Sequence, residues 1–215
     1  MKTVEWSEEM SRIYASYMER NVKHDHRRFA ARIAVDCGPL PPSALVVDVA
    51  GGPGFLAGEL APHFKGARFV VVDDSLIMNE VATERAQGRG LPIEVQRASS
   101  EQLPFGDAEV DLVVCKHYLR FAKDLGAVLR ECRRVLKPAG RAYFIDFNAE
   151  GPYLLKRLLW LWIRYTAPFF LVESFWDSMQ QGLAATKVRD ELLNARFSEA
   201  TVLRSSVSYL IRAVR

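Results

Sequence analysis

A glycine loop between two short apolar runs constrains the fold of this chain more than any other feature. Residues 45–74 read LVVDVAGGPGFLAGELAPHFKGARFVVVDD. The first apolar run ends in Asp48, which is typical of a strand buried on both faces of a parallel sheet. Apolar residues at helical spacing follow the glycines, and a second apolar run ends in Asp73 and Asp74. The segment therefore predicts a strand, a tight loop, a helix and a second strand.

The chemistry of this unit suits a ligand that carries an adenosine and a charged end. Gly51, Gly52 and Gly54 let the backbone approach a ligand closely and adopt positive φ angles. The helix that starts at Phe55 directs unpaired N–H groups toward the loop. Asp73 follows the last glycine by 19 residues. That distance is close to the roughly 20 residues expected for an acid that binds both hydroxyls of a ribose.

Two classes of cofactor compete for the unit. Residues 52–57, GPGFLA, fit the G-x-G-x-x-A fingerprint of dinucleotide binding, but this match is weak on its own. Asp48 stands directly before the loop, where its charge would repel a pyrophosphate and attract an ammonium group. This acid favours a ligand such as S-adenosylmethionine. A tight turn without a ligand is the third alternative, and it would make the distance to Asp73 a coincidence.

Composition indicates an ordinary globular protein. With 215 residues, 49% hydrophobic and 26% charged, the chain suffices for one domain with its own core. A net charge of +3 is too small to indicate nucleic-acid binding. The three cysteines form no C-x-x-C pair, so we expect free thiols in a reducing compartment and no metal site. The first ten residues lack the apolar segment of a signal peptide, which predicts a cytoplasmic location.

The pattern divides this single domain into four parts. Residues 1–42 predict two helices that cap the cofactor site, and residues 43–150 predict a cofactor-binding core of alternating strands and helices. Residues 151–186 predict a helical lid over the substrate, and residues 187–215 predict a helix followed by a strand hairpin. The alternation predicts a doubly wound α/β fold with a mostly parallel sheet and a ligand at the carboxyl ends of its strands.

Four segments carry a resemblance to a known family. They read VVDVAGGPG, VVDDSLIM, SSEQLPFGDAEVDLVVC and LRECRRVLKPAGRAYFID, and they extend over residues 45–147. Their order resembles the class I S-adenosylmethionine-dependent methyltransferases, most of all the small-molecule branch with the ubiquinone/menaquinone C-methyltransferases. The resemblance implies a Rossmann-like, seven-stranded sheet with an antiparallel last strand. It also implies S-adenosyl-L-methionine as cofactor and S-adenosyl-L-homocysteine as product.

The resemblance further implies which residues bind the cofactor. Asp48 and the glycine loop would hold the methionyl end, and Asp73 would bind the ribose, with Asp74 as the alternative. Ser99 and Ser100 would border the adenine. The full predicted set is Asp48, Ala50, Gly51, Gly52, Gly54, Phe55, Asp73, Asp74, Ser99, Ser100, Cys115 and Lys116, the last two through a carbonyl near the methionyl ammonium. The chain departs from the family at Asp74, where an apolar residue usually packs on adenine, and at Ser99, which is often Asp.

Methyl transfer chiefly requires that the acceptor is aligned and water excluded. A base is needed only when the acceptor loses a proton. His117, just past the fourth strand, is the candidate catalytic base, with pocket lining or packing as the alternative. Lys116 is the rival candidate, either for orienting an anionic substrate or as a simply solvated side chain. Substrate contacts are predicted at Tyr14, Tyr17, Tyr118 and Trp160, and packing against the sheet is the stronger alternative for the first two.

The aromatic segment after the fifth strand predicts an amphipathic helix. One face can combine Leu154, Leu155, Leu158, Leu159, Trp162 and Ile163. Lys156, Arg157 and Arg164 interrupt the segment, so it is not expected to cross a membrane. The alternatives are a lid packed on the sheet edge, a wall for an apolar substrate, a dimer contact, or a membrane-surface contact through residues 152–172.

We therefore expect a methyltransferase that acts on a small apolar or aromatic metabolite, as a monomer or homodimer. Three alternatives remain open. Another reaction, such as aminopropyl transfer, is one; a binding or regulatory protein that has kept the fold without turnover is the second. An NAD-dependent oxidoreductase is the most remote.

Overall fold

The computed structural model describes residues 7–215, apart from the side chain of Arg204. The expectation about a signal peptide concerns mostly residues 1–6, which lie outside the described residues. The chain begins with α1 (Glu8–Tyr17), whose first turn is capped by the hydroxyl of Ser7. A π-helical turn at Met18–Val22 joins α1 to α2 (Lys23–Cys37), so the two predicted helices follow each other without a loop.

The remaining elements alternate as the pattern predicts. In chain order they are β1 (Leu45–Val49), α3 (Phe55–Leu60), β2 (Arg68–Asp73), α4 (Leu76–Gly88), β3 (Ile93–Arg97), β4 (Val110–Lys116), α5 (Leu125–Val135) and β5 (Leu136–Phe147). They continue with α6 (Tyr153–Thr166), α7 (Phe169–Gln180), α8 (Ala185–Asn194), β6 (Glu199–Ser205) and β7 (Ser208–Val214). None of the described helices is both long and apolar enough to cross a bilayer.

The seven strands form one sheet in the order β3-β2-β1-β4-β5-β7-β6. Neighbouring strands run parallel except for β7, which is antiparallel to both β5 and β6. This confirms the predicted doubly wound sheet with an antiparallel last strand. The order reverses between β1 and β4, where the connections leave on opposite faces and a crevice opens outside the carboxyl ends of the strands.

The sheet is buried on both faces because its central strands are apolar at nearly every position. On β1, Val47 and Val49 belong to a core that includes α5 and α8, whereas Val46 belongs to a second core with α2 and α3. Strand side chains alternate between the faces, so continuous apolar runs supply both cores. These two cores hold the strand ends rigidly at the crevice.

The structure differs from the expectations in two places. The apolar pattern predicts that the fifth strand begins at Arg141, but β5 begins five residues earlier, at Leu136. The reason is that Leu136 pairs with Val110 before the register shifts at a bulge. The predicted lid helix is two helices, α6 and α7, which are separated at Ala167 and Pro168. Proline has no N–H group and disfavours helical geometry in the residue before it, which explains the break.

The predicted apolar face of α6 is mostly uncovered. Of its six residues, only Ile163 is fully buried and Leu159 is partly buried. Leu154, Leu158 and Trp162 are exposed instead. The pattern predicted the helix and its apolar face but left open what covers that face, because a stripe of apolar residues does not show its neighbours.

Candidate functional site

A cavity of about 360 Å³ lies at the carboxyl ends of the central strands, and α1, α2 and α7 border its other side. The predicted site residues that line it are Tyr14, Asp48, Ala50, Gly51, Gly52, Phe55, Asp73, Asp74, Lys116, His117 and Tyr118. The predicted residues Tyr17, Gly54, Ser99, Ser100, Cys115 and Trp160 are not part of its lining. The topology therefore brings most of the predicted set together in one cavity.

The glycine loop makes a tight turn into α3. Gly54, with a φ angle of 68°, precedes the first helical residue and donates its N–H to the carbonyl of Gly51 over 2.9 Å. An L-residue rarely adopts that conformation. A Cβ at Gly51 would lie 2.8 Å from Cγ of Asp48, which is closer than carbon atoms can approach. The two glycines thus allow the loop to fold directly over the end of β1.

Asp48 is buried beneath this loop, and its carboxylate is only half satisfied. Oδ2 accepts the N–H of Ala57 over 3.1 Å, whereas Oδ1 has no hydrogen-bond partner among the described residues. Burial raises the pKa of Asp48 to about 7; the charge of Asp73 adds to the rise and that of Lys116 opposes it. A buried acceptor oxygen beside a cavity is a ready partner for a cationic or N–H donor on a ligand.

Asp73 and Asp74 have different environments at the end of β2. The carboxylate of Asp73 accepts the N–H of Gly52 over 2.9 Å and that of Ser75 over 3.0 Å. Burial raises the pKa of Asp73, and both backbone N–H groups oppose that rise. Asp74 is exposed. The rigid, backbone-held carboxylate at the cavity is therefore that of Asp73.

Lys116 joins β4 to the N-terminal helices. Its ammonium group pairs with Asp25 of α2 over 3.0 Å and lies 5.5 Å from the ring centre of Phe29. Burial lowers the pKa of Lys116, and the charge of Asp25 opposes that effect. The pair holds α2 over the cavity. The lysine is thus engaged with a carboxylate of the chain itself.

His117 lines the cavity directly after β4, with a positive φ angle of 60°. Its ring stacks on Phe147, with 4.6 Å between ring centres, and its Nδ1 lies 3.6 Å from Oδ1 of Asp146. Burial and the charge of Lys116 lower the pKa of His117 to about 4. The imidazole is therefore neutral near pH 7 and able to accept a proton.

A buried arginine beside His117 is the main residue that the sequence analysis missed. Arg120 forms an ion pair with Asp146 and donates to the hydroxyl of Ser178 on α7 over 3.0 Å. Burial opposes ionisation of Asp146, but Arg120 and His117 hold the pKa of that carboxyl below its ordinary value. Nε of Arg120 is buried without a partner in the described part of the chain. No local motif marks the group, because its members lie on three separate elements.

The predicted adenine-side residues Ser99 and Ser100 do not line the cavity. Ser99 is exposed, and its hydroxyl accepts the N–H of Glu101 over 3.1 Å. The hydroxyl of Ser100 is 2.7 Å from that of Tyr118, which does line the cavity. The side chain of Cys115 is buried in the core below. Tyr118, a predicted substrate residue, therefore lies in the cavity wall, and Ser100 contacts it from behind.

Two of the four predicted substrate residues line the cavity, and two do not. Tyr14 and Tyr118 line the cavity. Tyr17 is buried beside it, and its hydroxyl lies 3.0 Å from that of Thr166 at the end of α6. Trp160 packs against Trp176, with 5.5 Å between ring centres. Tyr17 therefore connects the cap to α6, and Trp160 connects the two lid helices α6 and α7.

Apolar side chains form the wall opposite the carboxylates. Leu171 and Phe175 come from α7, Phe121 from the turn after β4, and Phe147 from the end of β5. Their sequence signal is only the general aromatic richness of the segment, which does not indicate which residues face inward. Among residues 7–215, no group of His, Cys, Asp or Glu side chains is arranged to hold a metal ion. The cavity thus joins a polar, acidic side to an apolar side.

Comparison with known proteins gives the same family for the core. Residues 47–144 match the family described as methyltransferase domain. The chain is 39% identical over 127 residues to the ubiquinone/menaquinone biosynthesis C-methyltransferase UbiE of Bartonella bacilliformis, covering 57% of this chain and 48% of the relative. It is 34% identical over 149 residues to the UbiE protein of Rubrivivax gelatinosus, covering 69% and 51%. The chain spans about half the length of these relatives.

Solved structures resemble the whole chain in fold. A SAM-dependent methyltransferase from Aquifex aeolicus has a TM-score of 0.68 at 18% identity, covering 86% of this chain and 88% of its own. A protein of Methanococcus maripaludis assigned to the same type has a TM-score of 0.76 at 18% identity, covering 99% and 95%. Identities this low establish the fold alone.

Proposed function

Since residues 47–144 form a methyltransferase domain of the class I, S-adenosylmethionine-dependent family, we propose that this protein methylates a small aromatic or apolar molecule. The observation that carries the proposal is the cavity at the ends of β1, β2 and β4. It joins the buried carboxylate of Asp48, the partly buried carboxylate of Asp73 and a glycine loop to an apolar wall. Such a cavity has separate regions for a charged cofactor and an apolar acceptor.

The residues of the cavity fit S-adenosylmethionine. Oδ1 of Asp48 lacks a partner within residues 7–215 and suits the methionyl ammonium group. Asp73 has a carboxylate whose orientation is fixed by Gly52 and Ser75, so its remaining lone pairs suit the ribose hydroxyls. A pyrophosphate group bound near Asp48 would be repelled by the charge of this buried acid. This contrast supports the sulfonium cofactor over a dinucleotide.

When bound, the cofactor supplies a methyl group on a sulfonium, which needs no further activation. The protein then has to align the acceptor and exclude water. Leu171 and Phe175 of α7, with Tyr14 of α1, border the acceptor side of the cavity and limit access of water there. Their apolar surface supports an acceptor with an aromatic or aliphatic body. The UbiE relatives, named for ubiquinone and menaquinone biosynthesis, support an aromatic ring of the quinol type and methylation at carbon.

In this proposal, His117 accepts the proton that a ring carbon loses after methylation. Its pKa of about 4 makes it unprotonated at neutral pH, although a weak base. Arg120 adds a guanidinium group at the same end of the cavity, tied to Asp146 and Ser178. A fixed positive charge there favours an acceptor whose ring hydroxyl is ionised before the transfer. The ionised oxygen donates electron density to the ring carbon that forms the new bond to the methyl group, while the carbon–sulfur bond of the sulfonium breaks.

The cofactor is tested first, by isothermal titration of the full chain with S-adenosylmethionine, S-adenosylhomocysteine and NAD in parallel. We expect micromolar affinity for the first two and none for NAD. Binding of NAD alone would reject the proposal. Asp48→Asn is the matched variant for the cofactor site because it removes the charge at constant size.

The acceptor is tested by measuring S-adenosylhomocysteine formation with a panel of ring compounds. The panel pairs a hydroquinone that carries a prenyl tail with the same ring without the tail, and with a polar ring compound. We expect the tailed hydroquinone to react fastest and to gain its methyl group at carbon. Cofactor binding without turnover on any acceptor would favour the binding or regulatory alternative, and Asp74 and Ser99 would then be the first positions to examine.

Two further properties belong to the proposal. All three cysteines are buried and free, which supports a reducing compartment such as the cytoplasm. The oligomeric state, monomer or homodimer, stays a prediction that light scattering can test.

A further inference from the structure

The helix α6 turns much of its apolar surface outward. Twelve large hydrophobic side chains are strongly exposed in the described part of the chain, and eight of them lie between residues 153 and 169. Tyr165 and Phe169 are 85% and 77% exposed. Contiguous exposed apolar surface of this kind marks an interaction site, whereas single exposed hydrophobic residues are ordinary.

The outward residues form a continuous stripe with a charged border. Leu154, Leu158, Leu161 and Tyr165 follow one another at helical spacing, and Trp162 widens the stripe. Arg157 and Arg164, seven residues apart, run along one edge of it. These five apolar residues and two arginines are called the α6 surface below. Both guanidinium groups lie within 6 Å of the Trp160 ring centre, at 5.2 and 5.6 Å.

The charges of this region have one sign. No Asp or Glu occurs between residues 151 and 172, whereas Lys156, Arg157 and Arg164 all do. Lys156 is turned inward and donates to the carbonyl of Ala149, so the two arginines supply the exposed charge. A second copy that packed through the same segment would bring the same cations, and no acid from residues 151–172, against this face. The complementary partner is therefore apolar beneath a negatively charged layer.

We propose that the α6 surface lies on a membrane that contains anionic phospholipids. A helix with an apolar face and arginines at its edge can rest in the interfacial plane, with the side chains of Leu158 and Trp162 among the acyl chains. The arginines remain at the level of the phosphate groups. This contact needs no membrane-spanning segment.

The helix α6 is followed directly by a helix that forms part of the cavity wall. At Ala167–Pro168 the chain turns into α7, whose Leu171, Ser174 and Phe175 line the cavity. The hydroxyl of Thr166, the last residue of α6, lies 3.0 Å from that of Tyr17 on α1. A membrane under α6 would thus lie next to the contact between the cap and the lid. If the proposed function holds, the acceptor is a membrane-borne molecule with an aromatic ring and an apolar tail.

The test is flotation of the full chain with vesicles, without cofactor or acceptor. One vesicle is phosphatidylcholine alone, and the other contains a third of phosphatidylglycerol. We expect binding to the anionic vesicles, weaker binding at high salt, and little binding to the neutral ones. Arg157→Gln with Arg164→Gln should lower the affinity for anionic vesicles by about 20–30-fold. The matched control is Lys187→Gln with Arg189→Gln on α8, which should change nothing.

The apolar part is tested by Leu158→Glu with Leu161→Glu, against Leu193→Glu, an exposed leucine of α8. Because both sites are exposed, thermal melts should show folded variants, and only the α6 variant should lose binding. The proposal is overturned if the folded protein does not bind anionic vesicles, or if the α6 variant binds them as strongly as the parent does. It is also overturned if the parent forms a stable dimer that the α6 variant disrupts. Failed methyl transfer leaves this result unaffected, because no reaction is measured.

Discussion

Replacing Asp48 by Asn is expected to stabilise the free protein and to weaken its binding of the cofactor. Asp48 is 2% exposed, and one of its two carboxylate oxygens has no partner among the described residues. Burial raises its pKa to about 7. The charged carboxylate is therefore unfavourable in the folded protein, and a bound ammonium group would offset that unfavourable charge.

The magnitude follows from the pKa. Between about pH 4 and pH 7, folded Asp48 holds a proton that the unfolded chain has already released. The free energy of unfolding therefore falls as pH rises through this window, by roughly 4 kcal/mol in total, and does not change further above it. Asn has no charge, but it buries an N–H group without an acceptor, which costs about 1–3 kcal/mol. We expect a net gain of about 1–3 kcal/mol at pH 8 and a net loss of about 1–3 kcal/mol at pH 4, where the carboxyl of the parent is already protonated.

The assay is urea unfolding followed by circular dichroism at pH 5, 6.5 and 8, for the parent and Asp48→Asn. The stability difference should grow with pH. Titration with S-adenosylmethionine at pH 8 should show at least a tenfold loss of affinity. Asp74→Asn, an exposed acid at the same edge of the sheet, is the control and should show no pH-dependent difference. A variant less stable than the parent at pH 8, or a difference independent of pH, would refute the reasoning.

Three further predictions concern the same cavity. Asp73→Ala should weaken S-adenosylmethionine binding by about tenfold or more and Asp74→Ala by less than about threefold, measured by titration calorimetry; the reverse order would assign the ribose to Asp74. His117→Asn, which tolerates the positive φ angle, should lower kcat about tenfold or more and leave cofactor affinity unchanged. With saturating S-adenosylmethionine, His117 should add no inflection to the pH profile of kcat between pH 6 and 9 because its pKa is about 4; an inflection near pH 6.5 that His117→Asn removes would contradict this. Asp25→Asn should lower the free energy of unfolding by about 1–3 kcal/mol in urea, since Lys116 stays buried without its partner; Lys116→Met in the same chain should restore part of the loss.

The half of the cavity that we propose for the cofactor could be predicted from the sequence because its residues lie close together along the chain. The strand, the glycine loop and Asp73 lie within 30 residues, and each has its own pattern of apolar residues, glycines or acids. Parallel strands present their carboxyl ends at one edge, so the topology brings Asp48 and Asp73 together once the strands are identified. His117 was predicted for the same reason, as the residue after β4.

The half of the cavity that we propose for the methyl acceptor could not be predicted in the same way. Arg120, Asp146 and Ser178 come from three elements, and their spacing along the chain bears no relation to their contacts. Trp160 was assigned to the substrate because it is aromatic, yet it packs on Trp176. Periodicity identifies a helix but does not reveal which neighbour covers which side.

The sequence by itself determined the order of strands and helices along the chain, the resemblance to the methyltransferase family and the edge of the sheet at which the cavity lies, because hydrophobic periodicity and the glycine–acid spacing act over short distances. The tertiary structure alone decided that Lys116, which lines the cavity, pairs with Asp25, and that Leu158 and Trp162 of α6 are exposed to solvent. Both outcomes depend on contacts between segments far apart in the chain. Burial and pKa values follow from those contacts, since they depend on what surrounds a side chain in space.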